Sequence, residues 1–171
     1  MGKIVLEGFM GSGKSTYGKA LARKLGWSFI DTDALIEDRE GRAIPKIFEE
    51  DGEDYFRRLE TDTIGELSGN EKSDAVISVG GGLPVREKNR DLMKKCGTVV
   101  YLKGSEELLY SRLISESESR PMLHGGELRD RIRSLLNERE ELYLDASDAV
   151  VLIDGKEPDE VLDEIVAIAG V

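Results

Sequence analysis

The chain contains one cysteine, one histidine, one tryptophan and four prolines in 171 residues. A single thiol, Cys96, excludes an internal disulfide. Its place before Gly97-Thr98-Val99-Val100 suits a small buried apolar residue better than a nucleophile. His124 is the sole imidazole and has no partner in sequence to make it a base, so it reads as a solvated loop residue. Positive charge is also scarce: 24 Lys and Arg stand against 35 Asp and Glu, a net charge of -11. Such a field repels nucleic acid and anionic lipid at long range, so an anionic ligand must meet a local cationic pocket. No stretch approaches the ~20 apolar residues of a membrane span. Met1 leads directly into an apolar strand pattern with no basic region and signal-like segment, so a cytoplasmic protein is expected. With 39% hydrophobic and 35% charged residues, the chain fits one globular domain. A chain of this size buries about 70% of its unfolded surface.

Against these absences stands Gly8-Phe9-Met10-Gly11-Ser12-Gly13-Lys14-Ser15, which matches the pattern G-x-x-x-x-G-K-[ST] in full. It follows the apolar run Ile4-Val5-Leu6 and leads into Ala20-Leu21-Ala22, a strand before and a helix after. The chemistry explains each position. Glycines let the backbone around Gly11, Ser12 and Gly13 wrap phosphates with its N–H groups inward, and the helix N-terminus adds positive potential. Lys14 reaches the outer phosphates, Ser15 offers a hydroxyl to Mg2+, and Thr16 continues the motif. ATP binding follows from this segment.

Apolar runs at 3–7, 27–31, 74–79, 98–102 and 149–153 alternate with helical patterns, which indicates an α/β fold with a parallel sheet covered by helices. The first helix, about 15–25, places Gly18, Leu21, Ala22 and Leu25 on one face and stops at Gly26. The last, about 158–169, starts at Pro158. A long helical insert at 33–69 and a polar segment at about 115–127 are where a substrate-binding unit and a lid would sit, leaving 1–32, 70–114 and 128–171 as the core of a single domain.

Asp31 and Asp33 stand at the carboxyl end of the second strand, the edge outside which open parallel sheets place ligands. Alternate residues of an extended segment point the same way, so one carboxylate can face hydrated Mg2+ and the other an acceptor hydroxyl. The competing reading makes Asp33 the cap of a helix starting at Ala34. Glu60, three residues after Arg57, shares its helix face and could orient the guanidinium toward a carboxylate. A surface ion pair of little energetic weight is the alternative. The third strand ends in Gly80-Gly81-Gly82, favouring a ligand against the backbone over a bare turn. Arg112 and Arg120 flank the polar segment, and an arginine brought in by a closing lid can neutralise charge on a transferred phosphoryl group. Most charges at Arg129, Arg131, Arg133, Glu138 and Glu141 read as a solvated helix face.

Taken together, these segments resemble the shikimate kinase family over essentially the full length. The motifs are Gly8 to Thr16, Asp31-Thr32-Asp33, Ile47-Phe48 through Gly52-Glu53 to Phe56-Arg57 and Glu60, Gly80-Gly81-Gly82, Arg120-Pro121, and Arg139 with Tyr143. The resemblance implies a P-loop NTPase three-layer fold with five parallel strands in the order 2-3-1-4-5. It also implies transfer of the γ-phosphate of MgATP to the 3-hydroxyl of shikimate, in chorismate and aromatic amino-acid synthesis. By the same resemblance Asp33 is the candidate base, Arg57 and Arg139 hold the carboxylate, the Gly80–Gly82 backbone supports the ring, and Lys14 and Arg120 stabilise the transferring phosphate. Arg112 and the loop before Pro158 would lie against adenine. No aspartate ends the third strand, where Ser78 stands, so Asp31 is the remaining acid for the metal's water shell. A monomer is expected. The rivals are a gluconate-type sugar-acid kinase and a non-catalytic nucleotide-dependent switch.

Overall fold

The computed structural model describes residues 2–70, 73–114 and 127–171. Strands β1 (Lys3–Glu7), β2 (Ser28–Asp31), β3 (Ala75–Ser78), β4 (Thr98–Lys103) and β5 (Ala149–Leu152) form one parallel sheet ordered β2-β3-β1-β4-β5. The order and the strand bounds, to within a residue, are those expected from sequence. β1 lies at the centre, with Val5 opposite Ile77 on one side and Val99 on the other. Ile4, Val5 and Leu6 are buried completely or nearly so, because a parallel strand covered on both faces needs a continuous apolar run rather than an alternating one.

Helices α1 (Lys14–Leu25) and α8 (Pro158–Ala169) cover one face, packing Leu21, Val161 and Ile165 onto Leu6, Val100 and Leu102. On the other face α4 (Glu53–Gly69) and α5 (Glu87–Cys96) bring Ile64, Met93 and Cys96 against Val5, Ile77 and Val99. Cys96 is buried there, and burial raises its thiol above the usual range. Helices α6 (Glu106–Leu113) and α7 (Leu128–Ala146) close over Tyr101 through Leu109, Leu113, Ile132 and Tyr143. Arg129 and Arg133 of α7 pair with Glu107 and Glu106 of α6 at 2.8 and 2.9 Å. The charged face of α7 is therefore not wholly solvated: Arg129 and Arg131 are half-buried, whereas Arg133, Glu138 and Glu141 are exposed.

The insert resolves into α2 (Thr32–Glu40), α3 (Ile44–Asp51) and the first half of α4, sharing a small core of Ile36, Ile47 and Phe56. The helix after β2 starts at Thr32, and its cap is Asp31, whose Oδ1 accepts from Asp33 N at 3.0 Å and Ala34 N at 3.2 Å. Asp33 is thereby released from the capping role that the sequence left open, since the extended residue just outside the helix takes that work. At the start of α8, Glu157 and Glu160 form a reciprocal capping box around Pro158, which fixes the chain entering that helix. Among the described residues no helix is long and apolar enough to cross a membrane.

Candidate active site

Two clefts open side by side at the carboxyl edge of the sheet. The larger, about 570 Å³, is built by the loop between β1 and α1. Gly11 and Gly13 adopt φ of 81° and 90°, and a Cβ on Gly13 would also strike the Tyr17 ring at 2.8 Å, so glycine is required on both counts. Lys14 Nζ donates to the carbonyls of Gly8 and Phe9 at 2.9 and 3.1 Å, folding the ammonium over its own loop. Ser15 Oγ donates to Asp31 Oδ2 at 2.5 Å, so Asp31 caps α2 with one oxygen and holds the Ser15 hydroxyl with the other. Lys14, Ser15, Thr16 and Asp31 line the cleft, and Arg112 and Pro158 line it too. Arg112 Nη1 also donates to Gly11 O at 3.1 Å, tying α6 to the loop. The Ser12 side chain is buried, and its N–H closes the loop on Phe9 O at 3.1 Å.

The smaller cleft, about 310 Å³, lies between the insert and the triple glycine, and it shares Met10, Asp33 and Gly81 with the larger one. Asp33, Arg57, Glu60, Gly80, Gly81, Gly82 and Arg139 are all at its wall. Arg57 is clamped from two sides: Nη1 donates to Glu60 Oε2 at 2.7 Å, and Nη2 and Nε donate to Glu53 Oε1 at 3.1 and 3.3 Å. Arg57, Glu60 and Arg139 are 9%, 1% and 4% exposed, so this is no surface ion pair. Burial pushes the Glu60 carboxyl up to about 7; Arg57 and Arg139 pull it down and Asp33 pushes it further up. Burial also works against the charge on Arg57, but Glu60 and Glu53 outweigh it and hold the guanidinium above its usual value.

The three glycines allow close approach to the backbone, and side chains of the protein itself already use that space. None has a left-handed φ, so the turn closed by Leu83 N on Gly80 O at 3.0 Å does not itself require glycine. A Cβ on Gly80 would lie 2.5 Å from Asp33 Oδ1 and 3.1 Å from Glu60 Oε1, and one on Gly82 would lie 2.2 Å from Arg57 Nη1. The protein's own functional groups press against this backbone. Two further bonds hold it: Gly80 N donates to Thr32 Oγ1 at 3.1 Å, and Tyr143 Oη donates to Gly81 O at 2.6 Å.

Two guanidinium groups, a carboxylate shared with the larger cleft, and apolar walls from Met10, Pro45, Phe48 and Phe56 suit a small hydroxylated acid. Sequence reasoning gave no role to Glu37, Ile44 or Pro45, which carry no pattern beyond helix periodicity, and quoted Met10 and Phe48 only as members of motifs. Arg120, His124 and the lid segment of about 115–127, Glu127 excepted, lie outside the described residues.

A family model described as "SKI: Shikimate kinase" matches residues 10–169. The shikimate kinase of Geobacter sulfurreducens is 44% identical over 162 residues, covering 95% of this chain and 87% of that protein. Among solved structures, the shikimate kinase from Acinetobacter baumannii in complex with shikimate superposes with a TM-score of 0.91 at 34% identity, covering 98% and 92% of the two chains. A gluconokinase from Sinorhizobium meliloti shares the fold at a TM-score of 0.61 and 22% identity, covering 99% and 91%.

Proposed function

The chain belongs to the shikimate kinase family, and from that membership we propose that it transfers the γ-phosphate of ATP to the 3-hydroxyl of shikimate across the junction of the two clefts. The observation that carries this reading is the sharing of Asp33, Gly81 and Met10 by both clefts, because transfer requires the acceptor oxygen and the terminal phosphate to meet in line.

In this reading ATP lies in the larger cleft, with its phosphates on the Gly11–Gly13 backbone and its adenine toward Arg112 and Pro158. Lys14 leaves the Gly8 and Phe9 carbonyls and turns its ammonium to the outer phosphates. Ser15 and Asp31 supply oxygens on the side where Mg2+ binds, which fits an ion that takes one or two protein oxygens and completes its shell with phosphate and water. Among the described residues no group of three or more acidic, histidine or cysteine side chains could hold a metal ion, so the nucleotide must share in binding it. When bound, Mg2+ screens phosphate charge.

Shikimate enters the smaller cleft between α2–α4, the substrate-binding unit, and the triple glycine. Arg57, pre-oriented by Glu53 and Glu60, and Arg139 grip the carboxylate at two points, which fixes the ring against the Gly80–Gly82 backbone. The 3-hydroxyl then faces Asp33, which accepts its proton as the new O–P bond forms and ADP departs. Orientation and screening of two anions supply most of the rate. The reading places the enzyme as a cytoplasmic monomer in chorismate synthesis.

The test is thermal unfolding with ADP and Mg2+ present. Millimolar shikimate should raise the midpoint of the wild-type protein by several degrees and leave Arg57→Ala unmoved. No wild-type response to shikimate favours the nucleotide-dependent switch instead.

A further inference from the structure

Glu7 is the last residue of β1 and stands directly before Gly8, whose carbonyl accepts from Lys14 Nζ at 2.9 Å. Strand alternation points its side chain the same way as Val5, into the layer made by α5 and α7. It is wholly buried, and neither carboxyl oxygen has a hydrogen-bond partner among the described residues. A carboxylate there would be desolvated with its lone pairs unsatisfied, a state that proteins avoid by retaining the proton. Nothing in the phosphate-loop pattern or in the transfer mechanism gives this residue a task.

The charges around it come from every element packed on that side. From α1 there is Lys14; from α5, Arg90 and Lys94; from α7, Asp145 and Tyr143; and from β4, Tyr101, the register partner of Glu7. Arg90 and Asp145 pair with one another at 2.7 Å, so their fields largely cancel at Glu7. Burial holds both tyrosines above their usual range, which keeps them neutral. Burial pushes the Glu7 carboxyl up to about 9, and Lys14 exerts the strongest opposing pull.

We propose that Glu7 is kept as a neutral acid behind the phosphate-binding loop and acts as a positioning residue for Lys14: once ionised, it draws the ammonium back and opposes the phosphates, so nucleotide binding weakens. The inference rests on the nucleotide reading of the loop. Bound phosphate and a Glu7 carboxylate are like charges competing for one lysine, so each disfavours the other. By linkage, nucleotide binding at alkaline pH must draw a proton onto Glu7. Near neutrality the acid holds its proton and sets no negative charge against the phosphates in competing for Lys14.

The experiment measures MgADP dissociation constants by titration calorimetry at pH 7.5 and 9.5 for the wild type, Glu7→Gln and Glu7→Leu. Neither variant can ionise, and each also reports any alkaline effect shared with other groups. The ratio of the two constants should be about tenfold larger for the wild type than for either variant, the equivalent of one pK unit of coupling. The wild type should also take up protons on binding MgADP near pH 9, read from buffers of different ionisation enthalpy, which needs no variant to fold. Equal ratios, or no proton uptake, overturn the inference while leaving the nucleotide reading intact. Failure of MgADP to bind at pH 7.5 overturns both.

Discussion

Replacing Gly80 by alanine adds one carbon atom at the point where the Asp33 and Glu60 carboxylates converge. That Cβ would lie 2.5 Å from Asp33 Oδ1 and 3.1 Å from Glu60 Oε1, whereas ordinary contact begins at 3.4 Å. Asp33 must therefore retreat by about 0.9 Å and Glu60 by a few tenths, and a misplacement of about 1 Å at a reacting group can remove about a hundredfold of rate. The backbone itself accepts alanine, because Gly80 lies outside the left-handed region and its N–H bond to Thr32 Oγ1 involves no side chain of its own. The strain falls on two side-chain ends in a packed site, a change that costs about 1–3 kcal/mol. Steady-state ADP release should show kcat falling about a hundredfold, with MgADP affinity held within a factor of about two because Lys14 and its loop are untouched. Gly69→Ala, where the added carbon meets nothing within 4 Å, serves as the control. A folded Gly80→Ala enzyme with kcat within about twofold of the wild type would refute the placement of Asp33 against this backbone.

Two further outcomes separate the roles of the carboxylates. Asp33→Asn should keep MgADP binding but lose turnover by a factor of about a hundred or more, since the amide cannot take the acceptor's proton; unchanged kcat removes Asp33 from the mechanism. Glu7→Gln bears on stability: the folded carboxyl is raised from 4.5 to about 9, so the native state binds more protons between those values and its advantage, complete below 4.5, is lost as pH rises to about 9. Relative to the wild type, Glu7→Gln should gain about 3 kcal/mol on going from pH 4.5 to pH 7, an upper value from the full shift, seen as a flatter dependence of denaturation free energy on pH. Parallel curves for the two proteins would show that Glu7 is ionised when folded.

Readings that depend on short stretches of chain came through from the sequence alone. The Gly8–Ser15 pattern, the five apolar runs and Pro158 at the start of α8 each answer to geometry spanning a few residues: a wrapped loop, a strand buried on both faces, a helix start. The motif resemblance added the strand order, which local patterns do not contain. Burial, by contrast, is decided between elements far apart in the chain. Arg57 and Glu60 have the spacing of an exposed helical pair, and only the packing of α4 against the triple glycine puts them out of solvent. The sequence leaves Asp33 open as the cap of a helix from Ala34; the structure starts that helix at Thr32 and gives the cap to Asp31. The three glycines announce a close approach without naming what approaches, because a missing Cβ records space and not its occupant. Glu7 carries no signal in the sequence beyond its place at the end of the 3–7 run. Its singular position follows from α5 and α7 closing over that strand from some eighty and more than one hundred and twenty residues away. Local stereochemistry determined the loop and the layers; which charges are stripped of water, and therefore which can bind, orient or hold a proton, was settled by the tertiary fold.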